Sequence, residues 1–226
     1  SAYSAMLQTL ARTGSSCAVG AVERFNSSRV WTPWFVEEVH AIPRPRSTGD
    51  LFPPIVWNVF AWSKLFERGA YERIVGSFPD GLYEDQVMSA KLYTSGEPVD
   101  IISDLVYHWR SREDGTSITQ NKTSVVDLDE RSRVGLETAA VIDAASSAGL
   151  SEYWYRKLLS EDLWWYYRVV PEAGALYWTT LCKWVRRFCE MAPASSIWGA
   201  QAKRRDLMGL ALAGDRDAFI RRLGVA

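Results

Sequence analysis

Two adjacent carboxylates, Glu84 and Asp85, open a run of eleven residues ending at Thr94. Val87, Met88, Leu92 and Tyr93 recur there at helical spacing, which predicts a helix. Acids at a helix start meet unsatisfied backbone N–H groups and the positive end of the dipole, which favour the ionised form. An ionised carboxylate is what a general base needs to take a proton from a hydroxyl. Neighbours on a helix point about 100° apart. They cannot flank one glycosidic bond at the roughly 5 to 9 Å that a hydrolase pair needs. One can face a cleft while the other makes a structural contact. Ordinary helix-start acids are the blander reading, and local sequence alone favours it.

A second group of reactive types follows in YHWRSREDGTSIT. The stretch Val99 to Trp109 alternates in part and predicts a strand. His108, Arg110 and Arg112 alternate at its end and so project to one side. If that end neighbours the helix start, these cations meet Asp85. Arginine forks suit phosphate, and Gly115, Thr116, Ser117 and Thr119 add hydroxyls and backbone N–H groups. Fixed cations stabilise charge that develops on a departing diphosphate. A solvated strand end accounts for the same residues equally well.

The elements that must position these groups are legible in outline. Residues 3–13 read as a helix with Met6, Leu7 and Leu10 inward, stopped at Gly14. Cys17 to Glu23 is an apolar run of strand type. Residues 24–56 hold most of the prolines and read as a long excursion. Trp57 to Arg68 reads as a helix with Val59, Trp62, Leu65 and Phe66 inward, ended or kinked at Gly69. Residues 76–82 form a Gly/Pro loop. Beyond Gln120 the pattern is helical throughout, over 127–147, 151–169, 172–191, 196–212 and 215–223. The Trp and Tyr residues of 153–184 read as core between helices, with a sugar-stacking platform as the rarer alternative.

Composition narrows the classes. Hydrophobic residues make up 47% and charged residues 23%, as in an ordinary globular protein. No apolar run reaches the roughly 18 residues that span a bilayer, and the first residues lack a signal-peptide layout. Net charge is −1, which gives no reason to expect nucleic acid. Charge is uneven, since Lys183 to Ala226 carries nine Lys/Arg against four Asp/Glu. Solvated helix faces explain this most simply, and peripheral contact with anionic lipid or polymer is the alternative. Three cysteines, Cys17, Cys182 and Cys189, form no disulfide framework and indicate reduced thiols and a cytoplasmic protein. With two histidines and no CxxC or HExxH, a zinc site is not expected.

Several segments in order carry a resemblance. YEDQ, then VDIISDLVYHWR, then S-I-T, resembles the acceptor-side half of family 2 glycosyltransferases. AWSKLFER resembles that family's A-W-N-K-L-[FY]-R-R, and TGSSCAVGAVERFN its T-G-[SA]-D-x-x-V-G strand. KLLSEDLWWYYRVVPEAG is similar to helical tails in the group, in particular bacterial members linked to teichoic-acid-like cell-wall polymers. The resemblance covers most of the chain. It implies an α/β fold, a partial GT-A (Rossmann-like) domain over 1–120 followed by an all-helical C-terminal region over 121–226.

What else it implies concerns chemistry. Asp85 would be the catalytic base of an inverting transfer from a nucleotide-sugar donor to a cell-wall or capsular glycopolymer. Glu84 would hold the acceptor or the helix start. Arg110, Arg112 and Ser117 would contact the donor pyrophosphate or acceptor, with His108 near a metal or phosphate position. Lys64 stands in the family's Asn-Lys pair, with Ser63 replacing the Asn. The family holds Mg²⁺ or Mn²⁺ through a D-x-D, and the chain has none before residue 5. It also lacks the N-terminal nucleotide-binding strands, and no initiator Met begins it. The expectation is a C-terminal portion that binds a nucleotide poorly alone, at the inner face of the plasma membrane where its basic end meets lipid. An expectation of a different class is a non-catalytic, aromatic-rich helical module in 121–226 that docks on membrane, polymer or a partner protein.

Overall fold

The computed structural model describes residues 1–78, 80–113 and 122–224. The chain divides into two compact units, Ser1–Ser117 with Val141–Leu150, and Ile118–Ala140 with Ser151–Ala226.

The first unit is mixed α/β. Helix α1 (Ala2–Thr13) stops at Gly14, whose φ of 68° is the left-handed conformation that glycine adopts freely. Strand β1 (Cys17–Phe25) runs parallel to β5 (Val99–Arg110), with Cys17 opposite Val99 and Phe25 opposite Arg110. The short strands β2 (Val30–Trp31) and β4 (Lys64–Phe66) pair antiparallel with β1, and β3 (Arg44–Ser47) pairs antiparallel with β5. Register shifts between Val19 and Val22 bend β1.

One sheet face buries Met6 of α1 against Ala18 and Ile102, flanked by Leu10, Leu65 and Val106. The opposite face carries Ala21, Val22 and Val36, the last from helix α2 (Trp34–His40), with Phe35 and Trp62. Helix α3 (Arg68–Ile74) is capped by Glu67, whose carboxylate accepts from the N–H groups of Gly69 and Ala70. Helix α4 (Glu84–Thr94) buries Val87, Met88, Leu92 and Tyr93. Asp100 is fully buried and accepts from the Ser15 hydroxyl at 3.0 Å and the Arg46 N–H at 2.8 Å, joining β5 to β3 and to the turn before β1.

Four expectations are corrected. Trp57 to Arg68 is not a helix. A 3-10 turn (Pro53–Trp57) ends there, a second turn (Ala61–Ser63) follows, and then β4 begins. The Lys64 ammonium and Ser63 hydroxyl take up carbonyls of Asn58 and Phe60 that a helix would need, and β1 offers 64–66 a strand edge. Gly69 lies inside the first turn of α3 rather than ending a helix. Residues 24–56 hold regular elements, namely β2, α2 and β3. Leu7 points outward, 57% exposed.

The second unit is helical. It comprises most of α5 (Val125–Ala144) and α6 (Ala148–Lys157), then a π turn (Leu158–Asp162), α7 (Leu163–Tyr167), α8 (Ala175–Met191), α9 (Ala194–Trp198), α10 (Ala202–Ala213) and α11 (Arg216–Leu223). Trp154, Tyr155, Tyr166, Tyr167 and Tyr177 fill its core with Phe188 and Phe219. The aromatic residues of this stretch are therefore mainly packing rather than a sugar platform, although Trp165 is half exposed. Asp162 is held by Arg131 and by Lys157 at 2.7 Å. Burial would raise its carboxyl pKa, and these two cations bring it below the ordinary value instead. Among the described residues no helix is long and apolar enough to cross a membrane.

Candidate active site

The residue at the start of α4 sets the geometry. Tyr83 takes a left-handed conformation, φ 65° and ψ 22°, which turns the chain sharply out of the 76–82 loop and into the helix. Glu84 and Asp85 occupy the first turn of the helix, both half-buried. The helix is fixed from behind. Tyr93 donates its hydroxyl to the Asn58 carbonyl at 2.6 Å, and Ser89 donates to the Val59 carbonyl at 2.8 Å.

Lys64 is brought into this arrangement. Its ammonium donates to the Asn58 carbonyl at 2.9 Å, the Asn58 side-chain oxygen at 3.1 Å and the Phe60 carbonyl at 2.8 Å. Burial pushes the Lys64 pKa down to about 7, and the nearby Asp85 pulls it back up. The Cys17 thiol also lies close, but burial raises its pKa to about 12 and leaves it neutral at physiological pH.

Behind Lys64 stands a set of buried polar groups that sequence reasoning missed. Asn58, fully buried, accepts from the Ser63 hydroxyl at 2.8 Å and reaches His40 Nε2 at 3.0 Å. His40 Nδ1 meets the Ile102 carbonyl at 2.8 Å. Nδ1 must therefore carry the proton, and Nε2 accepts from the Asn58 amide. Burial lowers the His40 pKa to about 4, so the ring is neutral. The network supplies an asparagine beside Lys64 after all, from six residues upstream. The signal was present in Asn58, a polar residue within an apolar run.

The described members of the second predicted cluster lie at and just after the end of β5. His108 pairs with Glu23 across β1 and β5 at 2.7 Å. Arg110 is exposed at the strand end and acts on Glu113, whose carboxylate accepts from the Ser27 N–H at 2.6 Å and is held below its ordinary pKa first by that bond. Arg112 follows the strand. Ser117 lies outside the described residues, as do Gly115, Thr116 and Thr119. His108 and Arg110 thus engage the acids of β1 and of the segment after β5.

On the other face of β5 lies an aromatic layer. Trp62 stacks on Tyr107 at 4.2 Å and on Phe60 at 4.7 Å, and Trp109 sits 5.5 Å from Trp62. The Arg24 guanidinium lies 4.2 Å from the Trp109 ring centre and 5.5 Å from that of Trp31. The alternation of Tyr107 and Trp109 in the strand was the signal for this layer.

Among the described residues no three His, Cys, Asp or Glu side chains converge on a metal position. The described residues thus offer no such three-ligand site for the divalent ion that the resemblance implies, and no step is routed through one.

No protein-family model matches the chain, and comparison with curated proteins finds no match. Solved structures do match. The crystal structure of residues 1–349 of S. aureus TarS in complex with UDP-GlcNAc superposes with a TM-score of 0.68 at 16% identity, covering 96% of this chain and 61% of that one. The complex of the same TarS chain with UDP gives 0.64 at 15% identity, covering 96% and 60%. What the chain shares with TarS is its fold. It spans about three-fifths of the length of the TarS chain in those two structures.

Proposed function

We propose that the chain is the acceptor-side part of an inverting glycosyltransferase, moving a sugar from a nucleotide-sugar donor to a cell-wall or capsular glycopolymer. The observation that carries this reading is the placement of Asp85 in the first turn of α4, the helix that Tyr93 ties to the turn bearing Lys64, in a fold shared with a protein solved with UDP-GlcNAc. The ordered motifs of a family 2 enzyme support it.

In this reading the Asp85 carboxylate takes the proton of the acceptor hydroxyl. That oxygen attacks the anomeric carbon from the face opposite the diphosphate. The bond from the anomeric carbon to the phosphate oxygen breaks, and the configuration inverts. Lys64, fixed by Asn58 and Phe60, supplies a positioned positive charge to the site in its protonated form. By the family resemblance Arg110, Arg112 and Ser117 would contact the departing diphosphate and Glu84 would steady the helix start, while His108 orders the strand end through Glu23. The donor's base, its ribose and a Mg²⁺ or Mn²⁺ ion belong to the whole protein.

The test is Asp85→Asn in the complete protein, with UDP-GlcNAc as donor probe. Transfer should fall by at least a thousandfold while donor affinity stays within twofold. Turnover that survives the substitution would remove Asp85 as the base.

A second reading rests on the helical unit. Lys183, Arg187 and Trp184 of α8 line a groove of about 380 Å³ with Leu136, Arg186 and Glu190. It would bring the enzyme to an anionic surface. Sedimentation with phosphatidylglycerol vesicles, lost in Lys183→Glu/Arg187→Glu, is the expected result. Equal sedimentation of both proteins would exclude this role.

A further inference from the structure

The outer face of β5 carries a feature that the transfer chemistry does not use. Side chains alternate along a strand. Val106 packs toward α1, and His108 pairs with Glu23. Tyr107 and Trp109 therefore project to the opposite side, where they meet Trp62 and Arg24.

The rings there are not sealed in a core. Tyr107 is 39% exposed, and Trp31, Trp62 and Trp109 are half-buried. Trp62 and Tyr107 lie nearly parallel, 29° apart. Apolar ring faces of this kind suit the C–H faces of a pyranose, which is amphipathic in the same sense.

The arginines decide the class of ligand. Arg24 lies against Trp109 and Trp31. Its Nε is buried without a hydrogen-bond partner, and no carboxylate pairs with it among the described residues. Burial also holds its pKa below the ordinary value. The Arg29 guanidinium lies 4.6 Å from the Trp31 ring centre, at the end of a tight turn in which the Asn26 side chain accepts from the N–H groups of Ser28 and Arg29. An apolar segment covering this strip would strand a desolvated cation, which is costly. A neutral glycan would satisfy the rings and leave the guanidinium unpaired. A ligand carrying both ring faces and anionic oxygens satisfies both.

We propose that Arg24, Arg29, Trp31, Trp62, Tyr107 and Trp109 form a binding strip for a phosphodiester-linked saccharide chain. Sugar rings stack on Trp62, Tyr107 and Trp109, and a phosphate bridges Arg24 and Arg29. The proposal rests on the glycosyltransferase reading and deepens it, because the strip would hold the acceptor at units that are not reacting.

The experiment is a calorimetric titration of the full chain with three probes. They are a phosphodiester-linked N-acetylglucosamine hexamer, the neutral β-1,4-linked hexamer of the same sugar, and a linear hexaphosphate. The phosphodiester hexamer should bind at least tenfold tighter than either of the others. Arg24→Gln should weaken it tenfold and flatten its salt dependence, and Tyr107→Ala, at an exposed ring, should weaken it at least fivefold. Trp62→Ala should do more, with far-ultraviolet circular dichroism confirming the fold. Equal affinity for the neutral hexamer would overturn the role of Arg24 and Arg29. Equal affinity for hexaphosphate would reduce the site to bulk charge. Unchanged binding in both Arg24→Gln and Tyr107→Ala would remove the strip. The titration needs no turnover, so a strip that fails here leaves the Asp85 test standing, and a failed Asp85 test leaves the titration result standing.

Discussion

The Tyr93 hydroxyl donates to the Asn58 carbonyl at 2.6 Å, and that carbonyl also accepts from the Lys64 ammonium. One backbone oxygen thus ties the helix bearing Asp85 to the turn bearing Lys64. Helix α4 and the Lys64 ammonium are held through one atom.

The first prediction concerns that cation. Lys64→Met removes three donated hydrogen bonds and leaves the Asn58 and Phe60 oxygens short of a donor in a buried place. The expected loss is about 2 to 4 kcal/mol, read as a lowered urea midpoint of the full chain. An unmoved midpoint would mean that the network is not holding this region together.

His40 predicts an acid limb. Its folded pKa is depressed to about 4 from an ordinary 6.5. The unfolded chain therefore binds the proton first as pH falls, and stability present above about pH 6.5 drains away toward pH 4. From this group alone the loss is roughly 3 kcal/mol. Thermal unfolding of His40→Gln against the parent between pH 7 and pH 4 should show a flatter dependence in the variant. Parallel curves would remove His40 as the source.

Two glycines make a paired test. A methyl group on Gly20 would overlap the Val106 side chain, while one on Gly49 would overlap the Tyr93 carbonyl oxygen. Each alanine substitution should cost about 1 to 3 kcal/mol. Val106→Ala should restore part of the loss in Gly20→Ala, because a side chain can be trimmed. Leu150→Ala should not restore Gly49→Ala, because the obstacle is backbone. Denaturation of the two double variants separates the cases, and equal rescue in both would contradict the geometry.

In the helical unit, Asp162→Ala would leave Arg131 and Lys157 without the carboxylate they share. The expected cost is about 3 to 5 kcal/mol, larger than for Arg133→Ala, whose pairs with Glu130 and Glu137 are exposed to solvent. A calorimetric scan of both variants ranks them, and the reverse order would refute the assignment.

How much of this was legible in the sequence depended on how local its cause is. The bounds of α4 and the run of β5 follow from apolar spacing and from Gly96 and Pro98 between them, and they read correctly. Lys64 and Asp85 could be singled out but not related, because the turn bearing Lys64 and the helix bearing Asp85 meet through Asn58 and Tyr93 from elsewhere in the chain. The segment Trp57 to Arg68 read as a helix because Val59, Trp62, Leu65 and Phe66 fall at helical spacing. In the folded chain Trp62 belongs to an aromatic layer instead, and 64–66 are drawn onto β1 as a strand. A tertiary partner outweighed the period. His40 gave no sign of its role, since one histidine in a polar stretch reads the same whether buried or free.

The two faces of β5 have a further consequence. Tyr107 and Trp109 point one way, His108 and Arg110 the other, and the residues are strictly interleaved. A strand shifted by one position would exchange the two sets entirely. The irregularity in β1 between Val19 and Val22 lies in the pairing that fixes this register. In this part of the molecule a change of length would do more damage than a change of residue, since one added or missing position would set arginine where the rings belong and rings where the arginine belongs.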